Sequence, residues 1–151
     1  MTVYRSLANW LNGILADPDN GFPEELKVAI DVELVPNLQS DFPELKLQES
    51  ALISHPNDQH VLMTAGQYKH TEHKTWYLVR RFGDHDNRAA NEDFLERIRR
   101  CIQRETLMGN MPKCGRAWRK ILVNGGMFPS AKSTDNTSAV YQIPLRIEYI
   151  E

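Results

Sequence analysis

Histidines and carboxylates cluster at three places in the chain. His55, Asp58 and His60 form one group, His70, Glu72 and His73 a second, and Asp84, His85 and Asp86 a third. Imidazole nitrogens and carboxylate oxygens are zinc donors, and imidazole is also the side chain whose charge changes near neutral pH. A metal centre needs several such donors converging in one shell. His70 and His73 are expected at the tip of a hairpin, where they could hold zinc only with ligands from elsewhere, so the group reads as a solvated turn. Asp84 to Asp86 stand where a helix needs caps. Cys101 and Cys114 lack the paired short spacing of a zinc knuckle. Cys101 falls on an apolar helical stripe and reads as a small core residue.

Nucleophilic and phosphate chemistry has no better footing. The chain has no glycine-rich phosphate loop, no nucleophile elbow and no His-Glu-x-x-His helix. Pro18-Asp19 and Glu25-Leu26-Lys27 have the residue types of a metal-dependent nuclease site, but that pattern places its first carboxylate on an earlier strand. Here both parts flank one turn. The expectation is therefore no catalytic residue, no cofactor and no metal ligand: not an enzyme. One basic concentration stands out, Arg97, Arg99, Arg100 and Arg104 followed by Arg116, Arg119 and Lys120. Acids are interleaved and aromatic stacking partners are missing, so it reads as a solvated or subunit-contacting face rather than a nucleic-acid track.

These groups are positioned by elements whose periods are legible. Val3, Leu7, Trp10, Leu11, Ile14 and Leu15 make one stripe of a helix from about Val3 to Leu15, stopped by Asp17-Pro18-Asp19-Asn20-Gly21. Leu26 to Val35 alternates as a half-buried strand, with Asp31 and Glu33 on its polar face. Leu45 and Leu47 suggest a short strand leading into Ala51 to Ile53. His60 to Ala65 is apolar on both faces, the pattern of a central strand. Gly66 to His73 reads as a polar turn, and Lys74 to Phe82 as the strand that closes the hairpin. A second helix spans about Arg88 to Leu107 with Ala90, Phe94, Leu95, Ile98, Cys101 and Ile102 inward. Its acids lie early and its arginines late, as the helix dipole favours. Ala117 to Asn124 is a strand with Ile121 and Val123 opposite Trp118, Lys120 and Leu122. Gly125 to Ser138 is a long polar loop containing Phe128, Lys132 and Asp135. Ala139 to Ile150 is the last strand, its odd-numbered residues inward and Gln142, Arg146 and Glu148 outward, with Pro144 marking an edge or bulge.

The order predicts an α+β domain over residues 1–151: a mainly antiparallel β-sheet with the two helices packed on one face. With 151 residues, 41% hydrophobic and 25% charged, the chain has the composition of one ordinary globular domain, not of a disordered one. No apolar run is long enough to span a bilayer, and the start lacks the layout of a secretory signal, so a soluble protein of a reducing cytoplasm is expected. A formal charge of −2 supplies no global attraction for nucleic acid.

The texture resembles the tail-terminator and minor capsid proteins of long-tailed bacteriophages. The carrying features are the amphipathic start YRSLANWLNGIL, the strand TWYLVRRFG, the helix NEDFLERIRRCIQRETL and the Trp-led strand AWRKILVNGG. A Pro-containing polar loop and the closing strand YQIPLRIEYIE follow. The resemblance covers Thr2 to Leu15 and His60 to Glu151, and departs from Asp17 to Pro56. It implies a structural role in the virion, with assembly in the host cytoplasm. Such proteins form a ring, commonly a hexamer, at the head-proximal end of the tail tube, where they stop tube polymerisation and join tail to head. The implied partners are other copies of the chain, the tail-tube protein and a head-side connector. DNA passes through the lumen without specific binding, and no membrane is involved. On this reading Arg97, Arg100 and Arg104 would pair with acids of a neighbour such as Asp31, Glu33 or Glu148. His70, Glu72 and His73 in one loop, and Phe128, Lys132 and Asp135 in the other, would face the tube or the ring. The rival readings are another head–tail neck component and, from a different class, a small metal-binding protein or enzyme.

Overall fold

In a computed structural model of the chain, the described residues are 2–24, 26–28, 49–54, 58–81, 85–112, 116–123, 129–132 and 138–151. Helix α1 spans Val3–Ala16, with the Thr2 side chain accepting a hydrogen bond from the Arg5 N–H as its N-cap. Strands β1 (Lys27–Val28) and β2 (Glu49–Ser54) pair in parallel. Strand β3 is Gln59–Leu62 and β4 is Tyr68–Arg81. Helix α2 spans His85–Leu107. Strands β5 (Ala117–Val123), β6 (Pro129–Lys132) and β7 (Ser138–Ile150) complete the sheet.

The sheet order is β1-β2-β4-β7-β5, with β3 beside β4 and β6 beside β7. All pairings but the first are antiparallel. The spine is the β4–β7 pair, in continuous register from Lys69 opposite Ile150 to Arg81 opposite Ser138. Trp76 and Leu78 of β4, with Tyr141, Ile143, Leu145, Ile147 and Tyr149 of β7, form one face. They join Leu7, Leu11, Ile14 and Leu15 of α1 and Phe94, Leu95, Ile98, Cys101 and Ile102 of α2 in a single core. The fold is α+β, with both helices on one face of a mainly antiparallel sheet, as the sequence predicted.

Several expectations need correction. His60 to Ala65 is not a central strand: β3 is four residues long, exposed on both faces, and among the described residues pairs only with β4. Apolar residues on both faces here mark a surface that stands clear of the core. Gly66 to His73 is not a turn either. The turn is confined to Met63–Gln67, so His70, Glu72 and His73 lie inside β4, each opposite a residue of β7. The local polarity of that stretch suggested a loop, but its backbone pairs with β7 throughout and with β3 as far as Thr71. Lys132, placed in a long loop, belongs to β6, which pairs with β7 from Pro129 to Lys132.

The strand β5 also departs from simple alternation. Trp118 lies opposite Tyr149 and Lys120 opposite Glu148, so Arg119 is an extra residue, a β-bulge. The bulge restores Trp118 to the same face as Ile121, and both are buried. Pro144 lies between the stretch of β7 paired with β5, which ends at Leu145, and the stretch paired with β6, which begins at Tyr141. A residue without an N–H is tolerated at such a local edge. Glu148, expected to face outward, does lie on the face opposite the helices but is buried there, as are Thr71, Thr75 and Tyr77. Asp31, Glu33, Phe128 and Asp135 lie outside the described residues.

Candidate functional site

Residues 59–69 are exposed without interruption. They form the β3–β4 hairpin, whose turn needs two consecutive residues with positive φ, Ala65 at 66° and Gly66 at 74°. Glycine adopts this without strain; alanine pays a steric cost of about 1–2 kcal/mol. The Met63 N–H donates to the Gln67 carbonyl at 2.6 Å to close the turn. On its far side the hairpin is tied to the end of the chain: Tyr68 and Glu151 exchange both backbone hydrogen bonds at 3.0 Å. Val61 and Leu62 are 57% and 62% exposed, and Met63 and Tyr68 are exposed beside them. Among the described residues, the outer edge of β3 has no strand partner.

Behind the hairpin the helix-facing side of the sheet turns aromatic and polar. His60 and His70 lie directly opposite each other in the β3–β4 register, with their Nδ1 atoms 2.5 Å apart. The His70 ring stacks on Tyr149 at 4.8 Å and 23°, and Tyr149 in turn leans on Trp118 at 5.5 Å. The Arg116 guanidinium lies 5.7 Å from the Tyr149 ring centre and pairs with Glu151 at 3.0 Å. Burial, and then the hydrogen bond to Glu72, hold the Tyr149 phenol well above its ordinary value. Glu72 also lies 4.0 Å from Lys74, a lysine only 5% exposed at its side chain. One Glu72 oxygen, Oε2, has no hydrogen-bond partner among the described residues. His73 points to the other face, and its backbone N–H donates to Asp58 at 3.0 Å. The fold thus separates His70 from His73 and brings His70 to His60. Chain proximity paired the wrong histidines, because successive odd and even positions of a strand point to opposite faces. Only the β3–β4 register, which no local pattern specifies, could have found the right pair.

The basic face of α2 is largely used within the molecule. Arg97 lies over the Phe22 ring at 5.2 Å, and Arg104 donates to Asn20 Oδ1 at 2.9 Å, so both reach the segment that follows α1. Arg99 bonds Glu96, which also lies 3.4 Å from Arg100. The Arg99 hydrogen bond keeps the Glu96 carboxyl below its usual range. Arg100 is the member that remains mostly exposed, at 74% of its side chain. Glu148 pairs with Lys69 at 3.7 Å and with Arg146 at 3.2 Å in its own chain. A cleft of about 420 Å³ between α1 and the end of α2 is lined by Trp10, Ile14, Asp17, Glu105 and Met111 among others. Trp10 spans part of it, donating from Nε1 to the Asn110 carbonyl at 2.6 Å.

Among the described residues, no three His, Cys, Asp or Glu side chains converge as a metal-holding group, and no helix is long and apolar enough to cross a membrane. Comparison with known proteins finds no matching family model and no matching curated protein.

Proposed function

We propose that the chain is a structural protein of virion assembly, a tail terminator that forms a homo-oligomeric ring, a hexamer, at the head-proximal end of a phage tail tube. The observation that carries this reading is the exposed hairpin, with Val61, Leu62, Met63 and Tyr68 in solvent and an edge of β3 that no strand covers among the described residues. An open edge flanked by apolar side chains is a template for adding a neighbour's strand. Repeated head to tail around a closed rotation, such a contact builds a ring, whereas a two-fold contact would stop at a dimer. The short length of β3 keeps the free chain from polymerising indiscriminately. Arg100 supplies a charged position away from the hairpin for the rim of that contact. The ring would present its two faces to the tube protein and to a head-side connector, with DNA passing through a lumen that does not bind it specifically. A strongly cationic lumen would hold the DNA, and a chain of net charge −2 is compatible with release.

The test combines mass and morphology. The wild-type chain should show a concentration-dependent rise in mass by light scattering and rings by negative-stain microscopy. A variant carrying Val61→Glu and Leu62→Glu should keep its circular-dichroism spectrum and stay monomeric. In infected cells, loss of the protein should give tubes of irregular length or tails that fail to join heads. Tubes of normal length joined to heads in its absence would refute the terminator role.

A further inference from the structure

We propose that His60 and His70 together form a two-imidazole binding site for a divalent transition metal ion of the zinc class, at the base of the exposed hairpin. Four observations converge. The two residues are register partners on adjacent antiparallel strands, which puts both side chains on one face at close range. Their Nδ1 atoms already point at each other, 2.5 Å apart. His60 is exposed and His70 half-buried, so an ion has access from solvent. The His70 ring is held in orientation by its stack on Tyr149, which is braced by Trp118 and by the Arg116–Glu151 pair. A ligand ring fixed by outer contacts loses little freedom on binding.

The geometry needs a small adjustment. Zinc–nitrogen bonds of about 2.0–2.1 Å in a tetrahedral shell place the two nitrogens about 3.3 Å apart. The rings must therefore separate by a little under about 1 Å, and His60, with no burial to restrain it, can supply that by a small rotation. In the neutral pair, one Nδ1–H donates to the other Nδ1. On metal binding that proton leaves Nδ1 and the same ring carries one on Nε2, so both lone pairs face the ion and the pair's net proton count is unchanged. On the histidine face Arg116, beside the Tyr149 ring, is neutralised by Glu151, and Lys69 is engaged with Glu148 on the opposite face. Two protein ligands leave the remaining positions to water, so the site is open and exchangeable, not a closed structural centre. Bound metal would clip β3 to β4. This inference goes beyond the ring proposal and stands or falls separately, because it is read on the free chain.

Tag-free full-length protein, stripped by chelator and dialysed, should be titrated with zinc chloride alone by calorimetry. One equivalent should bind. His60→Gln and His70→Gln should each weaken binding at least tenfold, while His73→Gln, on the same strand but the opposite face, should leave it unchanged. Zinc should also raise the melting temperature of the wild type and not that of His60→Gln, an exposed change that leaves the fold intact. No binding, affinity indifferent to His60→Gln, or a loss confined to His73→Gln would each overturn the proposal.

Discussion

At the scale of single residues, the polar groups behind the hairpin show what burial does to chemistry. Tyr149 is 5% exposed and its hydroxyl donates to Glu72, so ionising it would place two negative charges together in a poorly solvated site. Its folded pKa is therefore raised. The stability this represents is fully present below the ordinary phenol value of about 10 and is lost as pH rises through the higher folded value. We expect Tyr149→Phe to be about 1 kcal/mol less stable than wild type at neutral pH, from the lost hydrogen bond. From pH 9 to pH 11.5 the gap should narrow, because the variant has no phenol at this position to ionise. Denaturant midpoints measured side by side across that range check this, since other tyrosines and lysines titrate equally in both proteins. Cys101 shows the same physics with less at stake: burial pushes its thiol up, which keeps it protonated and slow to react.

At the scale of elements, the bulge in β5 decides which side chains reach the core. Regular alternation would place Trp118 and Ile121 on opposite faces, since three positions separate them. The extra residue at Arg119 lets both point inward, against Tyr149 and Ile147. Deleting Arg119 leaves one residue between them and preserves that arrangement, so the variant should fold with a change of about 1 kcal/mol or less. Deleting Arg119 and Lys120 together makes Trp118 and Ile121 neighbours and forces one of them out of the core. That should cost about 3 kcal/mol or more, with a red-shifted tryptophan emission if Trp118 is the one expelled. Thermal melts and fluorescence of the two deletions distinguish a bulge from a regular strand.

At the scale of the whole molecule, one core joins both helices to the central β4–β7 pair. Ile98 is 2% exposed in the middle of α2 and packs within the cluster that contains Leu11 and Ile143. Ile98→Ala should lower unfolding stability by about 2–5 kcal/mol, in a single cooperative transition seen alike by far-ultraviolet dichroism and tryptophan fluorescence. A change within about 0.5 kcal/mol would mean that α2 does not bury this stripe. The side chains of the hairpin residues 59–69 are exposed and take no part in the core cluster, so substitutions there can test assembly without first unfolding the domain.

The amphipathic helices, the closing strand and the α+β class were determined by sequence alone. Each rests on a period that a single element expresses by itself: 3.6 residues for Leu7, Leu11 and Ile14 in α1, two residues for Ile143, Leu145 and Ile147 in β7. The capping and stop signals around Pro18 and Gly109 are local in the same way, Gly109 taking the positive φ that ends α2. What only the tertiary structure decided depends on which strands become neighbours. A polar stretch such as His70 to His73 becomes strand because β7 pairs along its whole length and β3 covers the other side as far as Thr71. An apolar stretch such as His60 to Leu62 stays in solvent because it sits at an edge. Register then set the neighbours, His60 directly opposite His70 and Glu72 diagonal to Tyr149, residues up to 77 positions apart whose meeting no local period encodes.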